Sequence, residues 1–213
     1  MAGSLAVGFV GAAAHDLVPR SLAAFRAERP DVHISVHELG SAAQLRAVEE
    51  GRVDVGFVLL PADTPKLAID VVSEERLVVV LPRDHRLAAR SRIPLTALAE
   101  EDLVWMARRS EPQVLEVYLR LCHGAGFSPR IAYEVDHLQS MFGLVSAGLG
   151  VSHAPASIRD VAPSGVVCRA LERPVIAAGI GMVHNPENRA PTLAAFLATV
   201  QELRRSSASK ERA

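Results

Sequence analysis

Ser41 is a small hydroxyl residue at a point where the sequence changes from a strand pattern to a helix pattern. Residues 39–60 have the sequence LGSAAQLRAVEEGRVDVGFVLL. Ser41-x-x-Gln44 has the spacing typical of a capping box, and Gly51 is expected to end the helix in the left-handed backbone conformation. The hydroxyl either caps the helix or also donates a hydrogen bond to a ligand, and both roles stay open. The free amides of the first helical turn would lie beside it, and they favour an anion.

The apolar pattern predicts a helix that begins near Pro112, and two adjacent arginines, Arg108 and Arg109, precede it. A guanidinium group can hold a carboxylate through two parallel hydrogen bonds, which a lysine cannot copy. Glu111 stands beside the two arginines and could instead hold one of them in an ordinary surface ion pair. The pattern therefore predicts either a carboxylate anchor or a surface pair at this loop.

Catalytic and metal-binding patterns are weak in this chain. The sequence contains no GxSxG, Walker A or GxGxxG motif, and Asp102, Ser110 and His123 have no spacing typical of a triad. His33 and His37 lie on one face of a predicted strand and not at helical metal-ligand spacing, which indicates surface histidines. We therefore predict a binding domain and not an enzyme, with no catalytic residue, metal or cofactor.

Composition narrows the class of partner. The chain has 213 residues, 49% of them hydrophobic, and a net charge of -1, so it lacks the basic excess of a duplex DNA-binding surface. Cys122 and Cys168 are expected to be two ordinary buried thiols, with a redox-sensing pair as the alternative. Neither a signal peptide nor an apolar run of membrane-spanning length is visible, which predicts a cytoplasmic protein without membrane contact.

The apolar pattern predicts an α/β fold with two βαβαβ halves, the first of which is built on a parallel sheet with both faces covered. Helices are predicted after Asp16, from Ser41, at 112–123, after Asp136-x-x-Gln139 and at 190–205. Strands are predicted at 5–10, 32–36, 53–60, 67–72, 77–81, 103–106, 131–135, 151–153, 166–170 and 176–183. The helix at 112–123 is expected to turn Val114, Val117, Tyr118 and Leu121 inward.

A ligand site is predicted where these strands end. In open parallel sheets, ligands bind outside the carboxyl ends of the strands. Four helices should start there, near Asp16, Ala42, Pro112 and His137, and each N-terminus carries a partial positive charge. The crevice between the two halves is therefore expected to suit a small anion, with a carboxylate favoured.

Three longer stretches carry a family resemblance: LAVGFVGAAAHDLVPRSLAAFRAERPDVHISVHELGSAAQLRAVEEGRVDVGFVLLP, EERLVVVLPRDHRLA and LVSAGLGVSHAPAS. They resemble the effector-binding domain of LysR-type transcriptional regulators over residues 5–203. The stretches GFVGAA, ELGSAAQ and VDVGFVLL are most similar to the muconate- and benzoate-responsive regulators of aromatic catabolism.

The resemblance implies two Rossmann-like subdomains joined by two crossing strands, in a fold like that of the type II periplasmic binding proteins. Subdomain I would comprise residues 5–76 and 178–205, and subdomain II residues 77–177. The family also carries an N-terminal winged helix-turn-helix domain that binds DNA. That domain is absent from this chain, so the resemblance implies an isolated effector domain.

The implied function is ligand sensing. A small organic effector, a carboxylate or aromatic catabolite, would bind in the cleft between the subdomains and control transcription through the missing DNA-binding domain. The implied assembly is a homodimer or homotetramer, and residues 32–39, polar at alternate positions, are predicted to lie towards a sheet edge. The alternative is a periplasmic-type solute-binding protein, which would need an export signal upstream of residue 5.

The resemblance assigns ligand-binding positions in the first half to Ala12, Ala13, Ser41 and Leu59. The muconate-responsive proteins have serine, threonine and arginine at the positions that match Ala12, Ser41 and Leu59. One hydroxyl and one cation are therefore missing here. A second, buried aromatic-acid site in those proteins uses an arginine where this chain has Ser73.

In the second half the resemblance implies ligand contacts from Pro112-Gln113-Val114, which match a Pro-Asn-Phe stretch, and from Gly179 on a late strand. Arg108 and Arg109 would supply the cation that Leu59 has removed. Because the scaffold matches better than the pocket, we expect a small organic acid other than muconate itself.

Overall fold

The computed structural model describes residues 3–172 and 177–210. It divides into two compact units: unit 1 holds residues 1–73 and 180–213, and unit 2 holds residues 74–179. Two strands, Ala68–Pro82 (β4) and Ala177–His184 (β10), contain the borders between the units. No helix in the described part of the chain is both long and apolar enough to cross a membrane.

Unit 1 contains the first predicted βαβαβ motif. Its further elements are β1 (Gly3–Phe9), α1 (Leu17–Glu28), β2 (Val32–Glu38), α2 (Ser41–Glu49), β3 (Val55–Leu60) and α5 (Pro191–Lys210). Strands β2, β1 and β3 lie side by side and parallel, and β10 follows β3. The parallel arrangement of the first half is therefore confirmed, and β2 lies at the sheet edge as predicted.

Both faces of the unit 1 sheet are covered. On one face Phe196 of α5 meets Phe25 of α1 edge-on, with ring centroids 5.3 Å apart, and meets Phe57 of β3 at 6.3 Å. On the other face Leu45 and Val48 of α2 pack in a second apolar cluster. The helix predicted at 190–205 therefore docks on the unit 1 sheet.

Unit 2 contains the second βαβαβ motif. Its elements besides β4 are β5 (Arg92–Ile93), β6 (Asp102–Met106), α3 (Pro112–Gly124), β7 (Arg130–Val135), α4 (Leu138–Ser146), β8 (Ser152–Pro155) and β9 (Val166–Leu171). Strands β6 and β7 are parallel, while β8 and β9 pair antiparallel with β4. Residues 77–81 of β4 are all buried and alternate between two apolar clusters, which explains their uninterrupted apolar run.

Two predicted elements differ from the structure. The predicted strands 67–72 and 77–81 are one strand, β4, because neither glycine nor proline interrupts the residues between them. Helix α3 buries Leu115, Tyr118 and Cys122 fully, whereas Val114, Val117 and Leu121 are only half-buried. The stacking of Tyr118 on Trp105, with centroids 4.7 Å apart, orients that helical face. The predicted first residue of the last strand, 176, lies outside the described residues.

The helices predicted after Asp16 and Asp136 form without an acidic cap. The carboxylates of Asp16 and Asp136 accept hydrogen bonds from Arg20 and Arg109, and neither makes a capping bond. Gly51 has a φ angle of +69°, so the left-handed backbone conformation predicted after this helix is confirmed.

Candidate ligand-binding site

The carboxyl ends of β1 and β3 are tied together by backbone hydrogen bonds in unit 1. The amide of Val10 donates to the carbonyl of Phe57 at 3.0 Å, and the amide of Leu39 donates to the carbonyl of Phe9 at the same distance. A 3-10 turn, Gly11–Ala13, follows β1 directly. The strand ends, this turn and the start of α2 therefore form one neighbourhood, as parallel strands require.

Ser41 is the first residue of α2 and is not its cap. The N-cap is Gly40, and no side chain makes a capping bond there. The buried Ser41 hydroxyl instead accepts a hydrogen bond from the amide of Leu59 at 3.0 Å. The predicted capping box is therefore wrong, because a long-range partner on β3 takes the serine oxygen. Ser41 and Leu59, two predicted site residues, are in direct contact.

Gln44 has a structural role that the capping-box prediction missed. Its Nε2 donates to the carbonyls of Leu39 at 2.8 Å and Phe57 at 3.0 Å, so this one side chain links α2 to the residue after β2 and to β3. A Cβ placed on Gly8 or Gly56 would lie 3.0 or 2.8 Å from the Gln44 Oε1 atom. The two glycines therefore make room for the glutamine, which is fully buried.

A sequence signal for this arrangement exists. The tripeptide VGF occurs at residues 7–9 and again at residues 55–57. The two copies pair in register, with Gly8 opposite Gly56 and Phe9 opposite Phe57. Glycine at matching positions of two neighbouring strands indicates that a side chain approaches the backbone there.

The other predicted site residues of unit 1 are mostly apolar and packed. Ala13 is buried, whereas Ala12 and Leu59 are half-buried against the apolar cluster under α1 and α5. Gly179, assigned to unit 2, is a buried residue of β10. The Leu59 side chain thus fills core space at a position where the resemblance implies an arginine.

The strand ends of unit 2 carry charge. Arg109 follows β6, and its Nη2 contacts both carboxylate oxygens of Asp136, at 2.6 and 2.5 Å. Both side chains are exposed, to 73% and 47%. Arg108 is also exposed, and its backbone amide donates to Glu134 on β7 at 3.2 Å. The β6–β7 end therefore presents two guanidinium groups to solvent.

Glu111 is not the ion-pair partner of Arg109. It precedes α3 and is only 3% exposed, whereas the pair at this loop uses Asp136. The prediction of an arginine pair with Glu111 is wrong for Arg109, since β7 brings Asp136 to the same strand end. Pro112, Gln113 and Val114 form the half-buried first turn of α3 beside this loop.

The strand ends of the two units differ in chemistry. The strand end of unit 1 presents a buried hydroxyl and the first turn of α2, and the strand end of unit 2 presents two exposed guanidinium groups and the first turn of α3. Among the described residues, no group of three or more His, Cys, Asp or Glu could hold a metal ion.

Comparison with known proteins identifies the family. The family model described as LysR substrate binding domain matches residues 1–205. The chain belongs to this family. The predicted resemblance is therefore confirmed, and the reading as a regulator is supported over an enzyme or a solute-binding protein because the matched relatives are named as transcriptional regulators.

Two curated relatives of this LysR domain illustrate the match. The HTH-type transcriptional regulator AlsR of Bacillus subtilis is 28% identical over 195 residues, which are 92% of this chain and 65% of AlsR. The HTH-type transcriptional regulator BenM of Acinetobacter baylyi is 30% identical over 160 residues, 74% of this chain and 53% of BenM. The chain thus spans between about half and two thirds of the length of these relatives.

A solved structure supports the fold of this LysR domain. The BenM effector binding domain with its effector benzoate superposes with a TM-score of 0.81 and 25% identity, covering 97% of this chain and 94% of that chain. The predicted fold class, that of the LysR effector-binding domains, is therefore confirmed.

Proposed function

We propose that this LysR domain senses a small organic acid and that the whole protein uses the bound state to control transcription. The exposed Arg109 beside the first turn of α3 carries the proposal, because its Nη2 atom already holds a carboxylate, that of Asp136, at a strand end. The solved relative binds benzoate, which supports an aromatic or related carboxylate as effector.

We place the carboxylate at the β6–β7 strand end of unit 2, with Arg108 or Arg109 as its cation and the first turn of α3, residues 112–114, beside it. The ligand contacts expected of Ala12, Ala13, Ser41 and Leu59 in unit 1, and of Gly179 on β10, stay predictions. Surface ion pairs contribute less than about 1 kcal/mol, so a ligand carboxylate can displace Asp136 from Arg109.

Calorimetric titration with benzoate and with benzamide tests this assignment. Arg108→Lys or Arg109→Lys should weaken benzoate binding about tenfold, the value of one lost charge-assisted bond, and leave benzamide unaffected. Arg120→Lys, at an exposed arginine of α3, is the matched control. Equal effects on acid and amide, or none, would place the anchor elsewhere.

Assembly and location belong to the same proposal. Strand β2 exposes Val36 to 47% and β7 exposes Tyr133 to 39%, and both are outer strands of their sheets. We propose that β2 of one copy packs near β7 of another in a cytoplasmic homodimer or homotetramer, which binds DNA through a separate helix-turn-helix domain. Sedimentation of this chain should show a dimer that Val36→Glu dissociates; a monomer at high micromolar concentration would contradict it.

A further inference from the structure

A second depression in unit 2 is lined by arginines. Its volume is about 520 Å³, and its lining residues are Ala89, Arg90, Ser91, Arg159, Cys168, Arg169 and Ala170. Three of these seven side chains are guanidinium groups, and none is acidic. The depression lies beside β9, away in sequence from the strand ends that carry the proposed effector site.

The three arginines are not neutralised within the described part of the chain. None of Arg90, Arg159 and Arg169 appears in an ion pair there, although eight such pairs form among other residues. A concave surface with three positive charges and no acidic lining residue attracts an anion of multiple charge.

One of the guanidinium groups is held in place. Arg169 donates from Nε to the carbonyl of Ala88 at 2.9 Å and from Nη1 to the backbone carbonyl of Cys168 at 3.1 Å. Fixing a donor before binding reduces the entropy lost when a ligand arrives. Arg169 is half-buried, whereas Arg90 and Arg159 are exposed and can close on the ligand.

The thiol of Cys168 lies close enough to two of these arginines for their charges to affect its pKa. Burial raises the pKa of its thiol, while the positive charges of Arg159 and Arg169 act in the opposite direction. The thiol is half-buried and lines the depression, whereas the other cysteine, Cys122, is fully buried. The prediction of two fully buried thiols is therefore wrong for Cys168, and its alkylation rate can measure occupancy of the depression.

We propose that this depression binds the phosphate group of a small phosphorylated metabolite, at a site separate from the effector site. A phosphate monoester carries about two negative charges and three acceptor oxygens, which matches three guanidinium donors. The volume exceeds that of a phosphate group and falls within the range of small-molecule sites, roughly 300–1,000 Å³, so there is room for an attached organic part.

Protection of Cys168 from iodoacetamide tests the proposal. Ribose 5-phosphate should slow its alkylation at least fivefold at millimolar concentration, and inorganic phosphate should do so less effectively. Ribose and sodium chloride of equal ionic strength should have no effect. If inorganic phosphate protects better than the sugar phosphate, the site takes free phosphate and the organic part of the proposal is wrong.

Variants separate specific binding from general charge effects. Arg159→Gln should raise the half-protecting concentration of ribose 5-phosphate about tenfold, and Arg169→Gln should act similarly. Arg120→Gln, at an exposed arginine of α3 in the same unit, is the control. No protection in the wild type, or the same half-protecting concentration in all variants, overturns the proposal. Titration of Cys168→Ser by phosphorus NMR gives a measurement independent of the thiol.

Discussion

Buried polar side chains of the two units differ in how they are bonded. In unit 1 Ser41 and the Nε2 atom of Gln44 hydrogen-bond to backbone groups of β3 and of Leu39, which follows β2. In unit 2 the buried His153 lies against two aromatic rings, with its centroid 4.5 Å from Tyr118 and 6.0 Å from Trp105. Neither ring nitrogen of His153 has a hydrogen-bond partner among the described residues.

The strand ends of unit 1 are held by buried hydrogen bonds, whereas those of unit 2 carry exposed charges. Unit 1 uses neutral, buried hydrogen bonds to hold its strand ends together, so a contact there has a fixed geometry. Unit 2 leaves its strand-end charges in solvent, where Arg109 and Asp136 can exchange partners. The strand end of unit 1 is therefore neutral and fixed by hydrogen bonds, and the strand end of unit 2 is charged and exposed.

Replacing Gln44 should have the largest effect. Gln44→Ala removes two buried hydrogen bonds and leaves a cavity beside Gly8 and Gly56, so the free energy of unfolding should fall by roughly 2–4 kcal/mol. Urea unfolding measures this loss, and Gln113→Ala, at a half-buried glutamine of α3, should cost far less. Equal losses in the two variants would show that the link between α2 and the strand ends is unimportant.

The buried histidine should make stability depend on pH. Burial lowers the pKa of His153 from 6.5 to about 3, so above pH 6.5 the ring is neutral in both the folded and unfolded chain. Below pH 6.5 only the unfolded chain gains the proton, and stability falls by about 1.4 kcal/mol per pH unit. At pH 5 the loss should be about 2 kcal/mol.

Unfolding titrations at pH 8 and pH 5 measure this loss. His153→Leu should remove it, whereas His33→Leu, at an exposed histidine of β2, should keep it. If the wild type and His153→Leu lose the same stability on acidification, other groups account for the pH dependence.

Ser41→Ala should cost less than either of these changes. The substitution leaves the amide of Leu59 without its serine acceptor, which should lower the free energy of unfolding by about 1.5 kcal/mol. Ser41→Thr keeps the oxygen and should recover most of that loss. Benzoate titration of both variants then separates the two roles: weaker binding by Ser41→Ala beyond its effect on stability indicates a ligand contact, and unchanged affinity assigns Ser41 to structure alone.

These contacts also show where sequence reasoning ends. Apolar periodicity predicted the parallel strands and the C-terminal helix, because each depends on local pattern and burial. The partners of Ser41 and of Asp136 come from segments 18 and 27 residues away, and local capping rules could not anticipate them. The inward face of α3 was misjudged because one aromatic stack, Tyr118 on Trp105, orients the helix.

Removing the partner of Arg109 should change the free energy of unfolding least, and it tests directly whether the β6–β7 strand end of unit 2 binds a carboxylate. Asp136→Asn removes an exposed ion pair, so the free energy of unfolding should change by less than about 1 kcal/mol. If a ligand carboxylate competes with Asp136 for the same guanidinium, benzoate should bind a few-fold more tightly to the variant, with benzamide unchanged. Glu116→Gln, which frees Arg120 from a similar exposed pair on α3, should leave both affinities unaltered. Weaker benzoate binding by Asp136→Asn would mean that the aspartate orients Arg109 for the ligand instead of competing with it.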